Sequence, residues 1–452
     1  MQSVDRLNEK LPLTQLLPLG LQHVLAMYAG AVIVPIIVGQ GIGLNAQQLA
    51  YLVAADLFTC GIATLVQTIG IGEFAGIRLP VVLGCAFQAV FPMISIGKDH
   101  GVGAIYGSII TSGIFVLIVA YFFGKLLKFF PPVVIGSIIT IIGLSLIGVA
   151  FDNFGGGASA KAAGANGDFG SPQNILIGLF TLAVIIFANK YFKGFLQTIS
   201  VLLGIIAGSV VAFAVGMVHF DAVTNEPWVN VVTPFYFGFP KFVPSAMFTM
   251  CLVSLVSMIE STGVFFATGK VCEKEIGEKD VVKGIRAEGI AQILGGLFNA
   301  FPYTTFSQNV GLIALTKVRS RYVVVTAGII LMTLGTLPKF AAIATIIPPC
   351  VLGGAMIALF GMVAVSGIKT LAVVDFNKTS NMLIAACSIS VGMGVSITPQ
   401  LFAFFPNSLK LFFESGIVSG SLVAIILNVF LNWSDLRNVV NPEMVLPDEH
   451  SA

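Results

Sequence analysis

Two stretches decide how this chain is built: "FFPPVVIGSIITIIGLSLIGVA" (129–150) and "IIPPCVLGGAMIALFGMVAVSG" (346–367). They align without gaps at an offset of 217 residues (346 − 129), about half of the 452-residue chain. Both carry Pro-Pro, then a glycine on the same register (Gly136 and Gly353), and both end in small residues. Each is also an uncharged apolar run long enough to cross a bilayer. A repeated membrane-length segment at half-chain spacing points to duplicated halves. An odd number of spans in each half gives the halves opposite orientations.

The rest of the chain fits that frame. Hydrophobic residues make up 56% and charged residues 10%, well below the quarter charged that a soluble domain carries. The apolar runs are continuous rather than alternating, which argues against a β-barrel. The N-terminus "MQSVDRLNEKLPLTQ" is polar and the first apolar segment is full length, so no signal peptide is expected. Hydropathy gives about fourteen segments, roughly 14–38, 48–71, 79–97, 103–124, 131–151, 173–189, 195–218, 243–268, 281–299, 303–316, 322–345, 350–368, 380–398 and 411–432. With the N-terminus inside, 18 of the 23 basic residues fall on the cytoplasmic side; Lys98, Lys161, Lys241, Lys339 and Lys410 fall outside. The expectation is an all-α polytopic protein of the cytoplasmic membrane with both termini cytoplasmic.

The loop "KVCEKEIGEKDVVKGIR" (270–286) reads as a solvated cytoplasmic loop, and "FDNFGGGASAKAAGANGDFGSPQN" (151–174) as a mobile external one. The six cysteines are scattered without metal-ligand spacing, and the four histidines form no cluster. No phosphate-binding loop and no nucleophile–base constellation is present, so neither ATP-driven transport nor enzymatic chemistry finds support.

Two segments make poor helices. "RLPVVLGCAFQAVFP" (78–92) and "FPYTTFSQNVG" (301–311) lie at nearly the repeat offset, bracketed by proline or glycine and small or polar inside. Paired interrupted segments mark the binding site of many transporters, because unwound backbone at membrane depth is tolerated only around a protein-lined cavity.

Ionisable residues within spans are candidates by default. Glu260, in "LVSMIESTG", suits either accepting hydrogen bonds from a substrate or carrying a coupling proton. For Glu288, in "IRAEGIAQ" nearer the cytoplasmic end, a structural or proton-network role competes with direct binding. His23 and Asp56 read better as structural hydrogen-bonding groups. Gln308 and Asn309 offer an acceptor and a donor together, matching the alternating edge of a nucleobase; Asn309 fits better as a stitch within the broken segment.

The string "QNVGLIALTK" (308–317) resembles the signature of the nucleobase–ascorbate transporter family (nucleobase:cation symporter-2). That signature is Gln, Glu or Pro, then Asn, any residue, Gly, any four, Thr, and a basic residue or Gly. Gln308, Asn309, Gly311, Thr316 and Lys317 fill every fixed position. The likeness extends to "QHVLAMYAG", the Glu260 span and "PPCVLGGAM", and is nearest to bacterial xanthine and uric acid permeases. It implies inverted seven-segment repeats with interrupted third and tenth segments, forming a core (14–124 and 243–345) that carries substrate past a gate (131–218 and 350–432) in a homodimer. It also implies that Glu260 and Gln308 grip a purine, that Phe87 stacks on its ring, and that Glu288 and His23 belong to the site network. The coupling ion would be a proton, with no cofactor and no metal. Two departures stand out. Val264 replaces a polar residue that some relatives carry one turn after the glutamate. Ala86 stands where xanthine-selective members can have a polar residue, leaving room for the extra oxo group of uric acid. Gln308 in place of a second carboxylate favours a purine over uracil.

Overall fold

The computed structural model describes residues 6–126, 129–164, 167–224, 226–406 and 413–433. The orientation markers Lys128, Lys410 and Arg437 and both chain ends lie outside the described residues. The elements are α1 (Leu13–Gly41), α2 (Ala46–Ile69), β1 (Leu83–Cys85), α3 (Val90–His100), α4 (Val102–Leu126), α5 (Pro132–Phe154), α6 (Gly157–Ala162), α7 (Pro172–Tyr191), α8 (Phe195–Thr198), α9 (Ser200–Ala214) and α10 (Asp221–Thr224) in the first half. The second half holds α11 (Pro244–Cys272), α12 (Glu278–Leu297), β2 (Tyr303–Thr305), α13 (Gln308–Thr316), α14 (Arg321–Gly335), α15 (Pro338–Thr345), α16 (Pro349–Leu371), α17 (Thr379–Ile397) and α18 (Gly416–Leu431).

The two halves share one plan. α5 and α16 each start on the second proline of their Pro-Pro pair and each run 23 residues. Proline suits the first helical turn, where its missing N–H has no partner to lose. α1 and α11 both run 29 residues. The third segment of each half is broken, as expected: a three-residue strand followed by a short helix in both cases.

Among the described residues, eight helices are long and apolar enough to cross a bilayer, α1, α2, α4, α5, α7, α11, α16 and α17. α14 and α15 add one more if counted as a single span bent by 82°. The remaining expected spans are built differently. 79–97 and 303–316 are the strand–helix segments, 195–218 and 411–432 hold the shorter α9 and α18, and 281–299 is α12, whose first turns are charged. A fixed hydropathy window cannot separate a full helix from a half-helix joined to extended chain, because both are apolar over the same length.

The loops also differ from expectation. Helix covers most of 270–286 and leaves only 273–277 between α11 and α12, where Glu273 takes a left-handed conformation and meets Arg319 at 2.5 Å. In 151–174, α5 runs on to Phe154 and Asn174 donates to the carbonyls of Gly155 (3.2 Å) and Asp168 (3.0 Å), tying the loop closed. Beyond α2, Lys283 and Arg78 flank the exposed Glu73 and hold its carboxyl below the usual carboxylate range.

By contact the chain divides into two compact units, Met1–Ala120 with Ile147–Leu359 and Tyr121–Leu146 with Phe360–Ala452. Close helix approach in each relies on small residues, since lipid supplies no hydrophobic drive between helices. In the first unit, a Cβ on Gly113 would stand 2.8 Å from the Gly289 carbonyl, and one on Gly61 2.5 Å from that of Gly328. α4 therefore touches α12, and α2 touches α14, almost backbone to backbone. In the second unit Gly143 abuts Ala364, and Ser396 donates to Ser145 at 3.1 Å.

Candidate functional site

The strands of the two broken segments pair antiparallel, Leu83 with Thr305, Gly84 with Thr304 and Cys85 with Tyr303. Pro80 and Gly84 disfavour helix in one segment; Pro302 and the consecutive threonines Thr304 and Thr305 do so in the other. The ladder is extended by Ala86 N–H donating to Pro302 O (2.9 Å) and Phe306 N–H to Val82 O (3.0 Å). Each chain thus satisfies amides that lipid could not. α2 backs the crossing. Leu83 N–H donates to Thr64 Oγ1 at 3.1 Å, and Cys60 Sγ–H donates to Leu83 O at 2.8 Å. α13 begins three residues after β2, and α3 follows β1 through a single 3-10 turn, Phe87–Ala89. Both half-helices therefore start at the crossing and turn their positive ends toward it.

α11 passes beside this crossing and contributes its polar face. Glu260 is half-buried; its Oε2 accepts from Gln88 Nε2 (3.2 Å) and from Thr304 Oγ1 (3.4 Å). Gln88 Nε2 also donates to Ser257 Oγ at 2.7 Å. Ser261, one residue beyond the glutamate, shares a 3.0 Å hydrogen bond with Thr304 and accepts from Thr305 N–H at 3.0 Å. Thr305 Oγ1 donates to Glu288 Oε1 at 2.9 Å, and Glu288 is fully buried on α12 with Oε2 unpartnered among the described residues. Consecutive side chains of one short strand therefore connect the two carboxyls: Thr304 reaches Glu260 and Thr305 reaches Glu288.

Phe87 is 6% exposed and lies parallel to Phe306, with ring centroids 5.9 Å apart and planes 12° from parallel. Ala86 is buried, and its amide is already committed to Pro302. Gln308 opens α13 half-exposed beside the exposed Ser307. Asn309 is buried and turns away to α1, where its Nδ2 donates to His23 O at 3.1 Å and pairs with His23 Nδ1 at 3.0 Å. His23 and Asn309 thus meet each other, holding α13 to α1. Asp56 meets Tyr303 of β2, whose hydroxyl donates to its Oδ1 at 3.1 Å. No group of three His, Cys, Asp or Glu capable of holding a metal occurs among the described residues.

Sequence reasoning missed Gln88, Ser257, Ser261 and Thr304. A signal for the serines was present: Ser254, Ser257 and Ser261 recur at helical spacing around Glu260 on α11. Nothing in the sequence marked Gln88 as the donor to Glu260, because that contact depends on the 3-10 turn.

Comparison with known proteins fits this geometry. The chain is 49% identical to the xanthine permease of Bacillus subtilis over 436 residues, covering 96% of this chain and 98% of the relative. It is 53% identical to the uric acid permease PucK of the same organism over 416 residues, covering 92% and 95%. The transmembrane domain of a cyanobacterium bicarbonate transporter, BicA, shares the fold, with a TM-score of 0.55 at 15% identity over 94% of this chain and all of that domain. The Permease family model (Xan_ur_permease) matches residues 14–401. A multi-pass helical protein with paired broken segments, matched over most of its length, this chain belongs to that permease family.

Proposed function

We propose that the chain takes up purine nucleobases, xanthine and/or uric acid, together with protons across the cytoplasmic membrane. The observation that carries this reading is the half-buried Glu260 beside the strand crossing, held by donors on Oε2, on a helix that packs against the turn carrying Phe87 and against α13, which Gln308 opens. A carboxylate accepts from purine N–H groups, a primary amide reads an adjacent donor–acceptor pair, and an aromatic face covers the ring. The names of the relatives support the same substrate class. In the remainder of the proposal, a core (14–124 with 243–345) moves substrate past a gate (131–218 with 350–432) within a homodimer in the lipid bilayer. Protonation at Glu260 or Glu288 biases the inward step, no cofactor takes part, and both termini lie in the cytoplasm.

Uptake of labelled xanthine, urate and uracil into cells expressing the chain tests this. Xanthine or urate is expected to accumulate, with accumulation collapsing on dissipation of the proton gradient and surviving removal of sodium. Preferential uracil uptake would overturn the assignment, since Gln308 stands where a second carboxylate would grip uracil.

Gln88 supplies a finer test. Gln88→Leu leaves Glu260 with Thr304 alone and Ser257 without its donor. The apparent KM for uptake is expected to rise about 5- to 10-fold at unchanged membrane abundance, the worth of one net hydrogen bond of roughly 1–1.5 kcal/mol.

A further inference from the structure

Asp56 is a fully buried carboxyl that the proposed transport cycle does not use. It takes part in none of the ion pairs among the described residues. One oxygen accepts from the Tyr303 hydroxyl at 3.1 Å, and the same hydroxyl lies 3.3 Å from the Asp56 main-chain carbonyl; Oδ2 has no partner among the described residues. The titratable groups facing it are Cys60 one turn along α2, Cys85 on β1 and Tyr303 on β2, all neutral side chains at physiological pH. α14 meets this stretch of α2 through Gly328, which abuts Gly61, and Gly335, which abuts Ala54 and Phe58. It brings no charge there. A buried carboxylate with only neutral donors, the Tyr303 hydroxyl and the Cys85 thiol, and no cation is far costlier than the uncharged acid.

Its partner is placed where position matters. Tyr303 is the first residue of β2, and the next two residues reach the two carboxyls of the site. Tyr303 is itself fully buried, so its hydroxyl has no solvent alternative to Asp56. α2 therefore fixes β1 through Thr64 and Cys60, and β2 through Asp56.

We propose that Asp56 is a positioning residue held as the uncharged acid, whose hydrogen bond with Tyr303 sets the height of β2 and so aims Thr304 and Thr305 at Glu260 and Glu288. The proposal rests on the site reading above, and its test separates the two. Asp56→Asn keeps an oxygen for Tyr303 and is uncharged, so uptake of labelled xanthine or urate is expected to stay within about twofold of the parent. Tyr303→Phe removes the hydroxyl, and Asp56→Leu removes the carboxyl and leaves Tyr303 only the main-chain carbonyl at 3.3 Å; in each, about a tenfold loss of uptake through a raised KM is expected at equal membrane abundance. Loss in Asp56→Asn as deep as in Asp56→Leu would overturn the proposal, because an uncharged side chain would then not suffice.

Infrared difference spectroscopy of the purified protein needs no transport. The parent minus Asp56→Asn spectrum is expected to show one protonated carboxylic acid carbonyl band at neutral pH, shifted in Tyr303→Phe. Carboxylate bands in that difference spectrum would overturn the proposal whether or not xanthine and urate prove to be substrates. A parent that transports neither purine would count against the substrate assignment alone.

Discussion

Replacing Glu260 with glutamine is expected to weaken uptake of xanthine or urate by roughly 15- to 150-fold, the worth of a charged hydrogen bond of about 1.5–3 kcal/mol. The reason lies in how the carboxyl is already held. Gln88 and Thr304 both donate to Oε2. In the variant the new amide must turn its oxygen toward those two donors, which sends its NH2 toward the substrate. A donor then stands where a purine N–H requires an acceptor. The reverse orientation sets the NH2 against the donors Gln88 and Thr304, an equally poor arrangement. Uptake kinetics with membrane abundance measured in parallel decide the matter. Retention of uptake within about twofold would remove Glu260 from the substrate-binding role.

A comparable loss is expected from a single methyl group at Gly84. A Cβ there would fall within the van der Waals envelope of three Phe306 ring atoms, Cζ, Cε1 and Cε2. The ring has little room to yield: it is 3% exposed, stacks on Phe87, and lies where a Cβ on Gly30 would stand 3.1 Å away. Gly84→Ala therefore has to shift Phe306, and with it the aromatic pair or the register of β1 on Thr304. Overpacking of this kind costs about 1–3 kcal/mol. About a tenfold or greater fall in uptake is expected, with a lowered unfolding temperature of the purified protein. Adding Phe306→Leu, which frees the clashing ring atoms, is expected to recover stability but not full uptake. Wild-type uptake and stability in Gly84→Ala would show that the crossing is looser than these contacts indicate.

Much of this site was legible in the sequence because membranes make polarity expensive. Glu260, Glu288 and the polar run from Tyr303 to Asn309 stand out against apolar neighbours, and the proline and glycine around residues 80–84 and 302 announce broken helices. Partner choice was not legible. Asn309 engages His23 286 positions away, and Tyr303 engages Asp56 247 positions away. Such pairings follow from how α1, α2 and β2 pack, which no local pattern encodes. Gln88 escaped for a related reason: a single polar residue in an apolar segment looks the same whether it caps a turn or holds a carboxyl. The bend between α14 and α15 was hidden too, since both pieces are apolar and Pro338 opens the second as readily as it would interrupt one helix.

The strand pairing also dictates when this protein can become itself during synthesis. Leu83 waits for Thr305, 222 residues later (305 − 83). At about 5–20 residues per second of translation, the first strand spends roughly 10–45 s without its partner. At membrane depth a free backbone edge of this kind would leave costly unpaired amides. The nascent first half must keep that edge in water or against the insertion machinery until the second half arrives. Neither half of the gene alone encodes a finished site.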